Sequence, residues 1–275
     1  MVDDRSRLPI GMFDSGVGGL TVARAVIDLL PHEDIIYLGD TQRCPYGPRP
    51  HDEVRRFALE IMDHLVSQGV KLLVIACNSA ASAVFEEARQ RYDVSVLSVI
   101  EPGVRAAIAA TRNRRIGLIG TVATVTSGSY DQALAATKAN MELVSQACPR
   151  FVEFVEHNET NSEAVFDAAE EYLAPLKAAG VDTVILGCTH YPLLSGVIQY
   201  VMGEEVVLIS SAEATANEVF AELKNSDLLN RSEDIGKHRF IATSEEGMFS
   251  ELGELLLGPA FSGIEYRPWS DRTKA

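Results

Sequence analysis

The chain lacks any apolar run long enough to cross a bilayer. The longest, around Leu72–Cys77 and Val184–Leu186, fall far short of the roughly 20 residues a spanning helix needs. Positive charge is scarce, with 24 Lys and Arg against 39 Asp and Glu and a formal net charge of −15. No basic stripe could neutralise phosphates, so nucleic acid is excluded as a partner. Only four cysteines occur in 275 residues. That is too few for a disulfide framework, and a reducing compartment would hold them as thiols. Arg5 and Arg7 near the N-terminus precede no apolar stretch, so no secretory signal is read and the cytoplasm is the expected location. The six histidines are scattered, and neither Cys-x-x-Cys nor His-x-x-x-His occurs, so no metal is expected. A P-loop is absent, the turn Asp14-Ser-Gly-Val-Gly-Gly19 lacks the spacing of a dinucleotide loop, and no lysine sits in a pyridoxal phosphate context. No cofactor is therefore expected. In so negative a chain, an acidic ligand would need backbone N–H groups and helix N-termini to hold it.

What is present is a duplication. Gly69-Val-Lys-Leu-Leu-Val-Ile-Ala-Cys77 and Gly180-Val-Asp-Thr-Val-Ile-Leu-Gly-Cys188 share one layout, with eight residues from Gly to Cys in each. Ile10-Gly-Met-Phe-Asp14 opens the first copy as Ile116-Gly-Leu-Ile-Gly120 opens the second. The repeat has the length of a domain rather than of a solenoid unit. Strands alternate with helices throughout, which predicts an α/β protein with parallel sheets covered on both faces. Two pseudo-symmetric domains are expected, with the ligand site in the cleft between them. Residues 1–98 plus 208–275 would carry Asp14 and Cys77, and residues 99–207 would carry Glu156, Cys188 and His190. One helix is expected over 126–139, and 148–157 reads as an irregular segment with alternating apolar residues. Asp14, Cys77, Thr121 and Cys188 all follow strand ends, where ligands of parallel sheets bind.

A lone cysteine after an aliphatic strand is ordinarily a small buried hydrophobe. Matching places in two repeats, each followed by polar residues at a helix start, instead mark Cys77 and Cys188 as an acid/base pair. A helix N-terminus there would lower both thiol pKa values toward working pH. Cys44 and Cys148 have no repeat partners and read as structural. The glycines after Asp14 would let backbone approach an anionic group. Asp14 is either a helix N-cap or a carboxylate helping Cys77 move a proton. His190 would lower the Cys188 pKa or supply a proton, with Glu156 orienting it, unless it only caps a helix. The sequence does not separate Glu156 from Glu153. Tyr46 and Gly47 lie in a long loop that either closes over the ligand or is a plain surface turn.

Several motifs together resemble the glutamate racemases of the cofactor-independent two-cysteine aspartate/glutamate racemase family. They are Phe13-Asp-Ser-Gly-Val-Gly-Gly-Leu20, Asp40-Thr41 with Pro45-Tyr-Gly47, Ala76-Cys-Asn-Ser-Ala80, and Gly120-Thr121 with Thr124-x-x-Ser127. Cys148-Pro-x-Phe-Val152 with Glu156, and Gly187-Cys-Thr-His-Tyr-Pro-Leu-Leu194, complete the set. The resemblance runs from about Pro9 to Lys224. It implies interconversion of L- and D-glutamate to supply peptidoglycan, without cofactor, by a homodimer. It implies Cys77 and Cys188 as the proton-transfer groups, assisted by Asp14, Glu156 and His190. Asp14, Ser15, Tyr46, Gly47, Asn78, Ser79, Thr121, Thr189 and His190 would hold the substrate. Two departures stand out: Ser79, where the family often has threonine, and Cys44, which brings an extra thiol beside Pro45. Aspartate racemisation is the competing activity. A bilobal amino-acid binding protein and a redox protein pairing Cys77 with Cys188 are readings of other classes.

Overall fold

The protein, seen in a computed structural model, is described over residues 4–245 and 247–269. Its first part runs β1 (Ile10–Asp14), α1 (Leu20–Leu29), β2 (Ile35–Gly39), α2 (His51–Ser67), β3 (Leu72–Ile75), α3 (Asn78–Arg91), β4 (Ser95–Ser98) and α4 (Ile100–Ala110). The second comprises β5 (Arg115–Gly120), α5 (Val122–Thr126), α6 (Ser129–Ala136), β6 (Glu142–Ala147), α7 (Arg150–Glu156), α8 (Glu163–Ala179), β7 (Thr183–Gly187), α9 (Ser195–Met202) and β8 (Val207–Ile209). The chain then returns through α10 (Ser211–Asn225), β9 (His238–Ala242), α11 (Gly247–Leu257) and β10 (Ile264–Tyr266).

Two sheets form, with strand orders β10-β9-β2-β1-β3-β4 and β6-β5-β7-β8, and every pairing in both is parallel. Continuous aliphatic stretches such as Leu72-Leu-Val-Ile75 suit strands buried on both faces. The order 2-1-3-4 of the first sheet matches 6-5-7-8 of the second, and the register matches too. Ile10 pairs with Leu72, and Ile116 with Thr183. Cys77 and Cys188 thus lie equally far beyond equivalent pairings. The repeat glycines have a common task as well, because Gly69 (φ 77°) and Gly180 (φ 66°) end α2 and α8 in the left-handed region. β9 and β10 have no counterpart in the second sheet and extend the first beyond β2.

One apolar cluster packs α1, α10 and α11 against the first sheet, and another packs α7, α8 and α9 against the second. A third joins Phe13, Ile75 and helices α2 and α3 to Ile116, Tyr130 and Ile185, so core side chains run from one lobe into the other. Among the described residues, no helix is long and apolar enough to cross a membrane.

The structure departs from the sequence reading in three places. The helix expected over 126–139 is two, α5 and α6, divided where Gly128 takes φ 67°. The segment expected to be irregular contains α7, whose Phe151, Val152 and Val155 are buried at helical spacing. β8 belongs to the second sheet, so the division expected at 207/208 falls inside a strand.

Candidate active site

Both repeat cysteines end up lining one cavity of about 100 Å³. Cys77 is the residue before α3, just past β3, and Cys188 leads from β7 into the short 3-10 turn Tyr191–Leu194. Each side chain is almost wholly buried. Burial dominates their acidity. The Cys77 thiol is pushed up to about 12, first by burial and then by the charge of Asp14. Hydrogen bonds from the Ala80 and Ser15 backbone and the Ser15 hydroxyl pull the other way but do not prevail. Cys188 is raised as well, again by burial first, against the backbone N–H of His190. Helix N-termini were expected to bring both thiols toward working pH, whereas burial pushes both the other way. Loss of water around the thiolate outweighs a few aligned N–H groups.

Most of the other expected site residues line the same cavity: Ser15, Tyr46, Gly47, Asn78, Ser79, Thr121, Glu156, Thr189 and His190. Asp14 is not among the lining residues. It is fully buried behind the cavity, where Oδ2 accepts hydrogen bonds from the N–H groups of Gly19 (3.0 Å) and Gly16 (3.3 Å). Oδ1 has no partner. The carboxylate thus holds the turn at the start of α1 while its charge acts on Cys77.

Tyr46 and Gly47 are not a plain surface turn. Tyr46 is buried, and its hydroxyl donates to Asp40. Asp40 also accepts from Arg43 Nε (2.6 Å), Thr243 Oγ1 (3.0 Å) and Trp269 Nε1 (2.9 Å). The C-terminal segment therefore braces the loop that walls the cavity. Gly47 rests on the other lobe, where its carbonyl accepts from Ala123 N–H at 3.1 Å and an added Cβ would lie 2.9 Å from Thr121. Ser79 Oγ and Thr121 Oγ1, one from each lobe, are 2.9 Å apart, and Tyr130 donates to Asn78 Oδ1 at 2.7 Å. The Asn78 amide nitrogen is buried without a partner.

On the Cys188 side, His190 Nδ1 lies 3.8 Å from Cys188 Sγ and Nε2 lies 3.7 Å from Glu156 Oε1. Glu153 also lines the cavity, but the contact to His190 is made by Glu156, one helical turn further along α7. Pro45, Pro48, Val122, Pro149 and Val152 complete the lining; of these, Pro48 and Val122 lie outside every motif singled out in the sequence. Cys148 is buried in the core, as expected of a structural thiol. Cys44, expected to be structural, instead meets Glu156 at 3.4 Å.

A duplicated α/β fold that brings one buried thiol from each copy to a single small cavity defines a class of proteins able to address both faces of one carbon. The sequence model of the Asp/Glu/hydantoin racemase family matches residues 20–219, and the chain belongs to this family of isomerases. It is 56% identical to the glutamate racemase of Parafrankia sp. over 96% of this chain and 95% of that one. It is likewise 56% identical to the glutamate racemase of Mycobacterium leprae, over 94% and 95%. Among solved structures it is similar to a glutamate racemase isoform from Bacillus anthracis, with TM-score 0.91, 40% identity and coverage of 96% and 98%. The Francisella tularensis glutamate racemase in complex with D-glutamate gives TM-score 0.88 and 31% identity over 95% and 97%.

Proposed function

We propose that the protein is a glutamate racemase, interconverting L- and D-glutamate by proton transfer between the α-carbon and Cys77 on one face and Cys188 on the other. The observation that carries this reading is the convergence of the two repeat cysteines on one cavity. One thiolate takes the α-proton: the Cα–H bond breaks, an S–H bond forms, and the electron pair passes into the α-carboxylate. The opposite thiol then gives its proton to the other face and becomes the thiolate. Reversal exchanges the roles, which is why two groups of one kind are needed.

A thiol raised by burial is a poor base on its own. The substrate's α-ammonium supplies the missing positive charge, lowering the thiol pKa only when there is a proton to move. In this reading Asp14 accompanies Cys77, and the Glu156–His190 pair accompanies Cys188. Donors from Ser15, Asn78, Ser79, Thr121 and Thr189, with the loop of Tyr46 and Gly47, hold the carboxylates and stabilise charge growing on the α-carboxylate. No cofactor is invoked. The two lobes are taken as the first sheet with the C-terminal segment, and a second unit ending with β8. The reading extends to a cytoplasmic homodimer supplying D-glutamate for peptidoglycan.

The test is NMR of L- and D-glutamate incubated separately with the protein in D2O, with no cofactor added. Wild type should exchange the α-proton for deuterium and bring both enantiomers to a racemate, and Cys77→Ser and Cys188→Ser should each abolish racemisation. Failure of wild type to exchange either enantiomer would refute the activity. Racemisation that survives either substitution would refute the two-thiol mechanism.

A further inference from the structure

The geometry points to Cys44 as a positioning residue for the Cys188 half of the reaction, its thiol holding the Glu156 carboxylate against His190. The inference rests on the racemase reading. Cys44 belongs to the loop between β2 and α2, and Glu156 is the last residue of α7. The contact therefore crosses from the lobe of Cys77 to the lobe of Cys188. Cys44 Sγ donates to Glu156 Oε1 at 3.4 Å. The same oxygen lies 3.7 Å from His190 Nε2, whose ring presents Nδ1 to Cys188 Sγ at 3.8 Å. Four side chains thus form one line, Cys44, Glu156, His190 and Cys188.

The position of the thiol is enforced. Gly16 leaves room for it, since a Cβ there would stand 3.1 Å from Cys44 Sγ. Burial and the neighbouring Glu156 charge raise the Cys44 pKa, so it stays a protonated donor rather than a competing base. His190 Nε2 is buried and, among the described residues, makes no hydrogen bond of its own. Its alignment therefore depends on a carboxylate that is oriented by something else. Among the described residues, Cys44 is the side chain that hydrogen-bonds Glu156 Oε1. Among the described residues, the side-chain hydrogen bond of Cys44 goes to Glu156 and not to Cys77 or Asp14, so loss of the donor should burden the Cys188 transfer more than the Cys77 one.

Such one-sidedness cannot appear in kcat/KM. The equilibrium constant between enantiomers is unity, so kcat/KM for L- and D-glutamate must fall together. It appears in the primary isotope effects of the α-deuterated substrates. If transfer at Cys188 becomes more rate-limiting, the effect rises for the enantiomer deprotonated by Cys188 and falls for the enantiomer deprotonated by Cys77.

The experiment compares wild type with Cys44→Ala, Cys44→Val and Cys44→Ser, all checked for folding by circular dichroism. Val fills the space of the thiol without a donor and serves if Ala does not fold; Ser keeps a donor. The expected result is a fall in kcat/KM of about tenfold for Ala and Val, the lower end for a group acting through another. Ser should recover most of the loss. The two isotope effects should move in opposite senses, in the same directions as in His190→Asn. Unchanged kinetics in Ala and Val, an equal loss in Ser, or isotope effects that move together or not at all would each overturn the inference. An inactive wild type would instead overturn the racemase reading itself.

Discussion

The acidity of Cys77 offers a direct test of how the site is built. A thiol pushed up to about 12 is ionised in only about one molecule in ten thousand at pH 8, and ionising it costs about 5 kcal/mol. An ordinary cysteine, near 9.0, is about one-tenth ionised at that pH, so the thiolate population of Cys77 is lower by about a thousandfold. The assay is pulsed alkylation of substrate-free protein with iodoacetamide, followed by mass spectrometry of the peptide carrying Cys77. Burial slows the reaction at every pH, so the slope is diagnostic rather than the absolute rate. The rate constant should climb about tenfold per pH unit from 8 to 11 without levelling. Alkylation through local unfolding would climb only to about pH 9 and then flatten, since the exposed thiol ionises there. The charge of Asp14 is the second cause of the shift, so Asp14→Asn should raise the rate at pH 8. A plateau at or below pH 9 in folded protein would refute the claim that burial controls this thiol.

Two further substitutions probe packing. Gly18→Ala would place a Cβ 2.4 Å from Thr189 Oγ1 and 2.9 Å from His190 Nδ1. Displacement of both residues should cost about 100-fold in kcat/KM with the circular dichroism spectrum unchanged, and near-wild-type activity would show that the two loops do not meet as closely as described. Lys71 is buried, paired with Glu33, and donates to the carbonyls of Ser6 (2.5 Å) and Leu228 (3.0 Å). Lys71→Met leaves the Glu33 carboxylate buried without its counter-ion, which should cost about 3–5 kcal/mol. Thermal melts should show a fall of roughly 10 °C, and an unshifted transition would refute the burial of the Lys71–Glu33 pair.

Strand identities were legible from the sequence because the stretches before Cys77 and Cys188 are continuous in apolar character, as strands buried on both faces must be. The duplication was legible because equivalent registers preserve the spacing from glycine to cysteine. From those two features followed the α/β class and the pairing of the thiols, whereas most of the cavity lining was named through the resemblance to the two-cysteine racemases. α7 was read as an irregular segment because its apolar residues come as two adjacent pairs, Phe151-Val152 and Phe154-Val155, in a short stretch after Pro149, and packing against the second sheet selects the helical spacing. Glu153 and Glu156 could not be told apart, since the direction from α7 to His190 is set by the lobes' arrangement. The acidity of the thiols was misjudged for the same reason. A helix N-terminus is a local feature that sequence announces, whereas desolvation sums over every group that surrounds the sulfur. Cys44 reaches Glu156 across 112 residues of chain, and Trp269 reaches Asp40 across 229. Spacing and periodicity decided what each segment is. The closing of the two lobes on one cavity decided which side chains meet there and how strongly their charged forms are disfavoured, because both depend on distances between elements that local sequence does not encode.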